Sequence, residues 1–329
     1  MKERNKRTNS AYVELEQNQI QIRKRNSRSK AWSLMKKNWL LYVFLLPAVI
    51  YIAIFSYGPL YGVQIAFKNF TPSKGIMGSD WVGMKWFITF FQTPRFWTIL
   101  KNTLYVSGYY ILFSFPIPII LALILNNVKN VKWKKFAQTI TYMPHFISTV
   151  VLVGMMSVFF SPRSGFINTL LSYLGGSGDT FFMGIADYFP DMYVWTGIWQ
   201  SAGWGSIIYI AALAGVDPSL HEAAMIDGAN KFKRILHIDI PTIMPTMAIL
   251  LIMNSGSIMN IGYEKVYLMQ NSLNSATSEV VSTYVYKMGL MQQQYSYSAA
   301  IGLFNNVISF TLLIIVNKIV GKLSNSSLW

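Results

Sequence analysis

The chain has 329 residues, of which 53% are hydrophobic and only 12% charged, about half the charged share of an ordinary soluble domain. That shortage excludes a fold with a water-facing surface throughout, and the absence of cysteine excludes disulfides, thiolate metal sites and a cysteine nucleophile. The net charge of +15 raises the question of a nucleic-acid partner, which the placement of the charges along the chain decides.

Residues 1–37 form a basic, polar N-terminal tail, with Lys6-Arg7, Arg23-Lys24-Arg25 and Lys36-Lys37, read as an orientation signal with some attraction to anionic lipid. No cleavable signal peptide is expected, because the first apolar run starts after this tail and is longer than an h-region. Six uncharged, apolar stretches follow. An ionised side chain at the bilayer centre is costly and a crossing needs about 20 apolar residues, so these predict transmembrane helices near 40–66, 102–126, 136–160, 192–214, 242–263 and 296–317. Together they define a permease-sized domain over 38–320, closed by a short tail at 321–329. On alternate sides of six spans the 28 Lys and Arg divide into 20 and 8, which assigns both termini to the cytoplasm. The basic charge thus marks the inner side of a membrane, and no nucleic acid is implied.

In the first span Pro47 and Pro59 predict kinks. The first external loop carries Trp81, Trp86, Phe87, Phe90, Phe91, Phe96 and Trp97, a set suited to a helix lying at headgroup level, or to a docking face for an external partner. In the third span His145 follows Pro144 and reads as a hydrogen-bonded structural histidine at a kink, since no span offers a carboxylate to make it a proton carrier. The second external loop contains Gly175-Gly176-Ser177-Gly178, a flexible turn without the strand and Gly-Lys-Ser/Thr of a phosphate-binding loop.

Between the fourth and fifth spans, residues 217–239 run Asp217-Pro218-Ser219-Leu220-His221-Glu222-Ala223-Ala224-Met225-Ile226-Asp227-Gly228-Ala229 and on to Ile238-Asp239-Ile240-Pro241. Pro218 suits a first helical turn, Asp217 or Ser219 can cap it, and Gly228 can end it in a left-handed conformation. A second short helix from Lys231 to Ile238 then leads back to the membrane. Glu222 has two readings, a capping box with Ser219 or a contact to a partner. His221 and His237, on the same loop, form no recognisable metal site.

Glu-Ala-Ala, three residues, Gly, nine residues, Ile, one residue, an aliphatic residue and Pro resembles the EAA signature of binding-protein-dependent ABC importer permeases, with Ile240 where Leu is common. Asn102-Thr103, Phe115-Pro116-Ile117-Pro118, Gln138-Thr139, Met143-Pro144-His145-Phe146, Trp204 and Ala211-Ala212-Leu213 are similar to a sugar-importing branch associated with polysaccharide use. The resemblance implies an all-α integral membrane protein with six transmembrane helices in the type I ABC importer permease (MetI-like) architecture and a cytoplasmic coupling helix between helices four and five. It also implies a subunit of the bacterial plasma membrane forming half of a translocation path for oligosaccharides. Glu222, Ala223, Ala224, Asp227, Gly228 and Pro241 would couple it to the ATPase. The implied partners are a second homologous permease, two ATPase subunits that bind Mg-ATP, an extracellular or periplasmic sugar-binding protein and membrane lipid. The chain itself is expected to hold no cofactor or metal and no catalytic site.

Polar and aromatic groups within the spans are candidates for the substrate pathway, or else packing contacts between helices. In the fourth span Trp195 and Trp199 share a face, as do Gln200 and Trp204; in the fifth, Asn254, Ser257 and Ile261 recur at helical spacing, with Asn260 and Tyr263 near them. Gln200, Trp204, Asn254 and Ser257 are the pathway candidates, ahead of Asn305 and Asn306. A secondary transporter or channel would need ionisable residues within the spans, and a membrane enzyme a catalytic dyad, which these windows lack. A permease for peptides or amino acids is the nearer competitor.

Overall fold

The computed structural model describes residues 34–324, so the N-terminal tail and the last residues lie outside the described part. The chain divides into two compact bodies, residues 1–63 and 64–329. In the first, α1 (Trp39–Ile52) has exposed apolar side chains and carries Pro47 in its interior. Pro59 has no N–H to donate, and around it the helix loosens to a π turn at Ala53–Tyr57 and tightens to a 3-10 stretch over Gly58–Phe67. The irregularity expected at the prolines is present around Pro59, whereas the α-helix runs through Pro47 without interruption.

The second body begins with a two-stranded antiparallel ribbon, β1 (Lys68–Asn69) against β2 (Asp80–Trp81), and the amphipathic α2 (Lys85–Gln92). There the aromatic cluster separates into two sets. Phe90 is 1% exposed, with ring centroids 5.0 Å from Phe96, 5.7 Å from Phe304 and 6.4 Å from Tyr284, while Trp81 and Trp97 stay exposed. The Trp86 indole donates to the Lys68 carbonyl at 2.9 Å. Helix α2 is therefore docked on the rest of the body by its rings, with Trp81 and Trp97 left to suit an interface.

The helices that frame the rest of this body are α3 (Phe96–Ser114), continuing into α4 (Pro116–Asn126); α5 (Val131–Tyr142); α6 (Thr149–Phe159); α7 (Phe189–Leu213); α8 (Pro218–Ile226); α9 (Lys231–Arg234); α10 (Ile240–Gly256); α11 (Tyr263–Met269); α12 (Val281–Tyr286); and α13 (Tyr295–Ser324), with short helices at Gly75–Gly78, Phe166–Tyr173 and Ser275–Ser278 in the connections. Among the described residues four helices are long and apolar enough to cross a membrane: Trp39–Phe67, Phe96–Asn126, Lys231–Gly256 and Tyr295–Lys322. A bent pair, Val131–Phe146 with Thr149–Phe159, adds a fifth if counted as one.

Two of the six expected spans thus differ from straight apolar helices. The third, expected over 136–160, is broken at 97°. Pro144 lies in a 3-10 turn, Met143–Phe146; Ile147 is extended; and Ser148 starts α6 by accepting the Val151 N–H. The fourth, α7, has 25 residues but contains Gly, Ser, Gln and several aromatic residues, and it is not apolar enough to qualify on composition. Packing accounts for part of this: Phe189, Val194, Ile198, Ala202, Tyr209 and Leu213 are enclosed by protein, while Trp195, Trp199 and Ile208 stay exposed, so only one side of α7 needs a lipid-compatible surface.

The fifth span ends earlier than its expected limit of 263. Helix α10 stops at Gly256, and Ser257 leaves the helical region while its hydroxyl returns to the Asn254 carbonyl at 3.2 Å. The small polar run around Ser255-Gly256-Ser257 supplies competing local bonds, which ends the helix despite the apolar residues that follow. Ile261 therefore does not continue the helical face of Asn254 and Ser257. The glycine-containing segment 175–178 is also less free than a flexible turn. The buried Asn168 amide bonds to the Ser161 and Thr180 carbonyls, both at 2.9 Å, and accepts from the Thr180 N–H, pinning the loop across its base.

Helix α7 approaches α5 so closely that a Cβ at Gly203 would collide with the Thr141 carbonyl. Neither group is the free end of a flexible side chain. Gly203→Ala is expected to destabilise the fold by about 1–3 kcal/mol, read as a lower melting temperature of the detergent-solubilised protein, whereas Gly302→Ala, with open space around it, should leave that temperature unchanged.

Candidate functional site

The break in the third helix creates both a need and a space. Backbone carbonyls released at such a break must find partners inside a membrane protein. Gln200 on α7 meets one of them, its Nε2 donating to the Ile147 carbonyl at 2.7 Å. This engages Gln200 in packing and leaves it outside the cavity that the break opens. His145, on the adjoining turn, has its ring stacked on Trp204, with centroids 4.5 Å apart and planes 5° from parallel. It faces the cavity, a position the reading of a hydrogen-bonded structural histidine did not anticipate.

The cavity has a volume of about 560 Å³, within the range of small-ligand sites. It lies between α3, α4, α7, α10 and the segment after α10. Aromatic surface comes from Tyr110, Tyr193, Trp204 and Tyr209; hydroxyl and amide groups come from Ser107, Ser114, Ser201, Asn254, Ser257 and Asn260. No lining residue is an Asp, Glu, Lys or Arg. The Tyr110 and Ser201 hydroxyls are 3.2 Å apart, and the Ser107 hydroxyl is buried with no hydrogen-bond partner among the described residues. Asn305 on α13 donates to Asn260 Oδ1 at 3.1 Å, so it positions a lining residue from behind.

The structure therefore brings Trp204, Asn254 and Ser257 to one wall and leaves Gln200 behind it. Tyr110, Ser107 and His145 join them, although nothing in the linear spacing ties α3 and the broken third helix to α7. Trp195 is directed elsewhere: its indole donates to the Tyr109 hydroxyl at 3.0 Å, which itself donates to Asp191 at 2.6 Å.

The Glu-Ala-Ala loop is the second site. Asp217 caps α8 by accepting the Ser219 N–H at 2.9 Å, and that bond holds its carboxyl below the usual carboxylate range. With Asp217 as the cap, Glu222 falls too far along the helix for a capping box with Ser219, and its exposed side chain has no hydrogen bond or ion pair among the described residues. At the other end Gly228 has φ +74°, its N–H bonds to the Met225 carbonyl at 3.1 Å and the Ala229 N–H to the Ala224 carbonyl at 2.8 Å. This is the paired closure of a Schellman motif, with Asp227 as the last helical cap residue. Ala223 and Ala224 lie mid-helix, and Ile226 is 87% exposed beside them.

After the turn, Asn230 caps α9 through the Lys233 N–H at 2.9 Å. The chain passes through a π turn at Ile235–Asp239 before α10, whose second residue is Pro241, a residue unable to donate to the preceding turn. The expected second helix to Ile238 is thus split between α9 and this turn. His237 Nδ1 lies 2.9 Å from the Lys233 carbonyl, and His221 lies against Asp239.

Residues 114–325 match the family model described as the binding-protein-dependent transport system inner membrane component. Protein LplB of Bacillus subtilis (strain 168) is 44% identical over 297 residues, 90% of this chain and 93% of LplB. The polygalacturonan/rhamnogalacturonan transport system permease protein YteP of the same organism is 39% identical over 308 residues, 94% of this chain and 96% of YteP. A solved bacterial alginate ABC transporter, in complex with an alginate pentasaccharide-bound periplasmic protein, superposes with a TM-score of 0.83 at 37% identity, covering 90% of this chain and 99% of that one. With its family match spanning the cavity helices α4, α7 and α10 and the Glu-Ala-Ala loop, this multi-pass, predominantly helical chain belongs to the binding-protein-dependent transport system inner membrane components.

Proposed function

We propose that the chain is the transmembrane permease subunit of an ATP-driven importer of oligosaccharides derived from polysaccharides, providing half of the translocation path. The observation that carries the substrate class is the cavity lined by rings and hydroxyls, with no Asp, Glu, Lys or Arg in its wall. Saccharides present apolar ring faces and many neutral donors and acceptors, which this wall matches. The names of YteP and the alginate transporter support the same class.

Glu222, Ala223, Ala224, Asp227, Gly228 and Pro241 form the coupling surface for an ATPase. The capped, closed α8 supports this reading, since it presents Glu222 and Ile226 on a short rigid helix, with a charge-assisted hydrogen bond available to a basic group. The complex contains a second homologous permease, two ATPase subunits that hold Mg-ATP, and an external sugar-binding protein; this chain contributes no catalytic site. Six crossings, with both termini and the Glu-Ala-Ala loop cytoplasmic, follow from the basic-residue distribution.

The deciding experiment purifies the complex and measures ATP hydrolysis with candidate oligosaccharides presented by their binding protein. Stimulation by an oligosaccharide, and none by peptides or amino acids, is expected; the reverse pattern overturns the substrate class. Orientation has its own check in a chain without cysteine. A cysteine replacing Ala229 should resist an impermeant thiol reagent applied to intact cells and react once the membrane is opened.

A further inference from the structure

We propose that His221 and Asp239 form the strut through which α8 moves the fifth span, which makes His221 a positioning residue for energy coupling. The proposal rests on the reading of α8 as the coupling helix. The backbone route from α8 to α10 contains three departures from regular helix: Gly228 in the left-handed region, the extended cap residue Asn230, and the π turn Ile235–Asp239. Along that route a displacement of α8 must change direction at the Gly228 turn before it reaches the continuous helix Lys231–Gly256.

The side chains supply a shorter route. His221 Nε2 lies 3.2 Å from Asp239 Oδ1, joining the residue before Glu222 to the residue before Ile240-Pro241, across the whole turn. Asp239 is only 2% exposed, and the Arg234 charge lies within electrostatic reach of it. His237, on the same π turn, is engaged with the Lys233 carbonyl, which leaves His221 as the group that reaches Asp239 from α8. A buried carboxylate is expensive to keep and gives little net stability over an apolar replacement. What it supplies here is a close polar contact, at ion-pair distance, between two elements that must move as one body.

The test uses the complete complex in proteoliposomes, with ATP hydrolysed per oligosaccharide imported as the readout. His221→Ala should raise that ratio by about three-fold or more, with the ATPase subunits still co-purifying at wild-type stoichiometry. His221→Gln, whose amide offers an N–H near the Nε2 position, should restore most of the coupling. Removing His221 alone leaves Asp239 buried without it, so the double variant His221→Ala/Asp239→Asn separates strut from burial. The double variant should regain normal membrane abundance and remain uncoupled. A wild-type ratio in the double variant overturns the strut, as does loss of the ATPase subunits from His221→Ala, which would make His221 a docking contact. Glu222→Lys, run in parallel, distinguishes the two levels. Lost uptake in Glu222→Lys with a wild-type ratio in the double variant sinks the strut alone, while wild-type uptake in Glu222→Lys sinks the coupling reading and the strut with it.

Discussion

Gly228→Pro is expected to abolish uptake while the protein still inserts in the membrane. At φ +74° the backbone is in a region closed to proline, whose ring fixes φ near −65°, and proline also lacks the N–H that Gly228 gives to the Met225 carbonyl. The cost is about 3 kcal/mol or more at this turn, enough to open the Schellman closure and release the end of α8. Gly228→Ala, which costs about 1–2 kcal/mol in the same conformation, should show a partial loss. Both are read as saccharide uptake normalised to membrane abundance. A Gly228→Pro protein with wild-type uptake would mean that the geometry of this loop carries no coupling.

The second large effect concerns the cavity wall. Trp204→Ala removes the indole that stacks on His145, and Asn254→Ala removes an amide facing the same space. If a saccharide packs on that ring and bonds to that amide, each loss is about 1 kcal/mol, and the pair should weaken transport about 10- to 100-fold, provided that the two act independently. Uptake measured across a range of binding-protein-bound saccharide concentrations checks this against Gln200→Ala. The latter unties the Ile147 carbonyl, so it should lower the amount of folded protein and leave transport per molecule unchanged. Equal transport per molecule in all three variants would remove Trp204 and Asn254 from the pathway.

What was legible in the sequence follows from how local each feature is. Asp217, Pro218 and Gly228 act on backbone groups within a few residues, so the start and end of α8 could be read directly, and the structure has them there. The charge-free stretches were legible for the same reason. The break in the third span was only half legible: Pro144 marks the place, but the size of the bend depends on Gln200 and Trp204, more than fifty residues away, receiving what the break exposes. The contact of His221 was not legible, because a histidine followed by Glu-Ala-Ala gives no sign of a partner eighteen residues on. That partner becomes adjacent only when the Gly228 turn folds α8 back. The polarity of α7 pointed to function as readily as to burial, and only the packing around it separates the two.

The 97° elbow in the third segment also sets a length that the bilayer must accommodate. Its two arms, Val131–Phe146 and Thr149–Phe159, measure about 24 Å and about 17 Å at the rise of an α-helix. Neither alone spans a hydrocarbon layer of about 30 Å. When one arm stands upright the other lies nearly in the plane of the membrane, so the acyl chains beside it meet a step in thickness. Such a step is relieved by thinning of the lipid or by protein occupying the gap, each at a fraction of a kcal/mol per Å. The turn at that step is the one that carries His145 into the cavity wall.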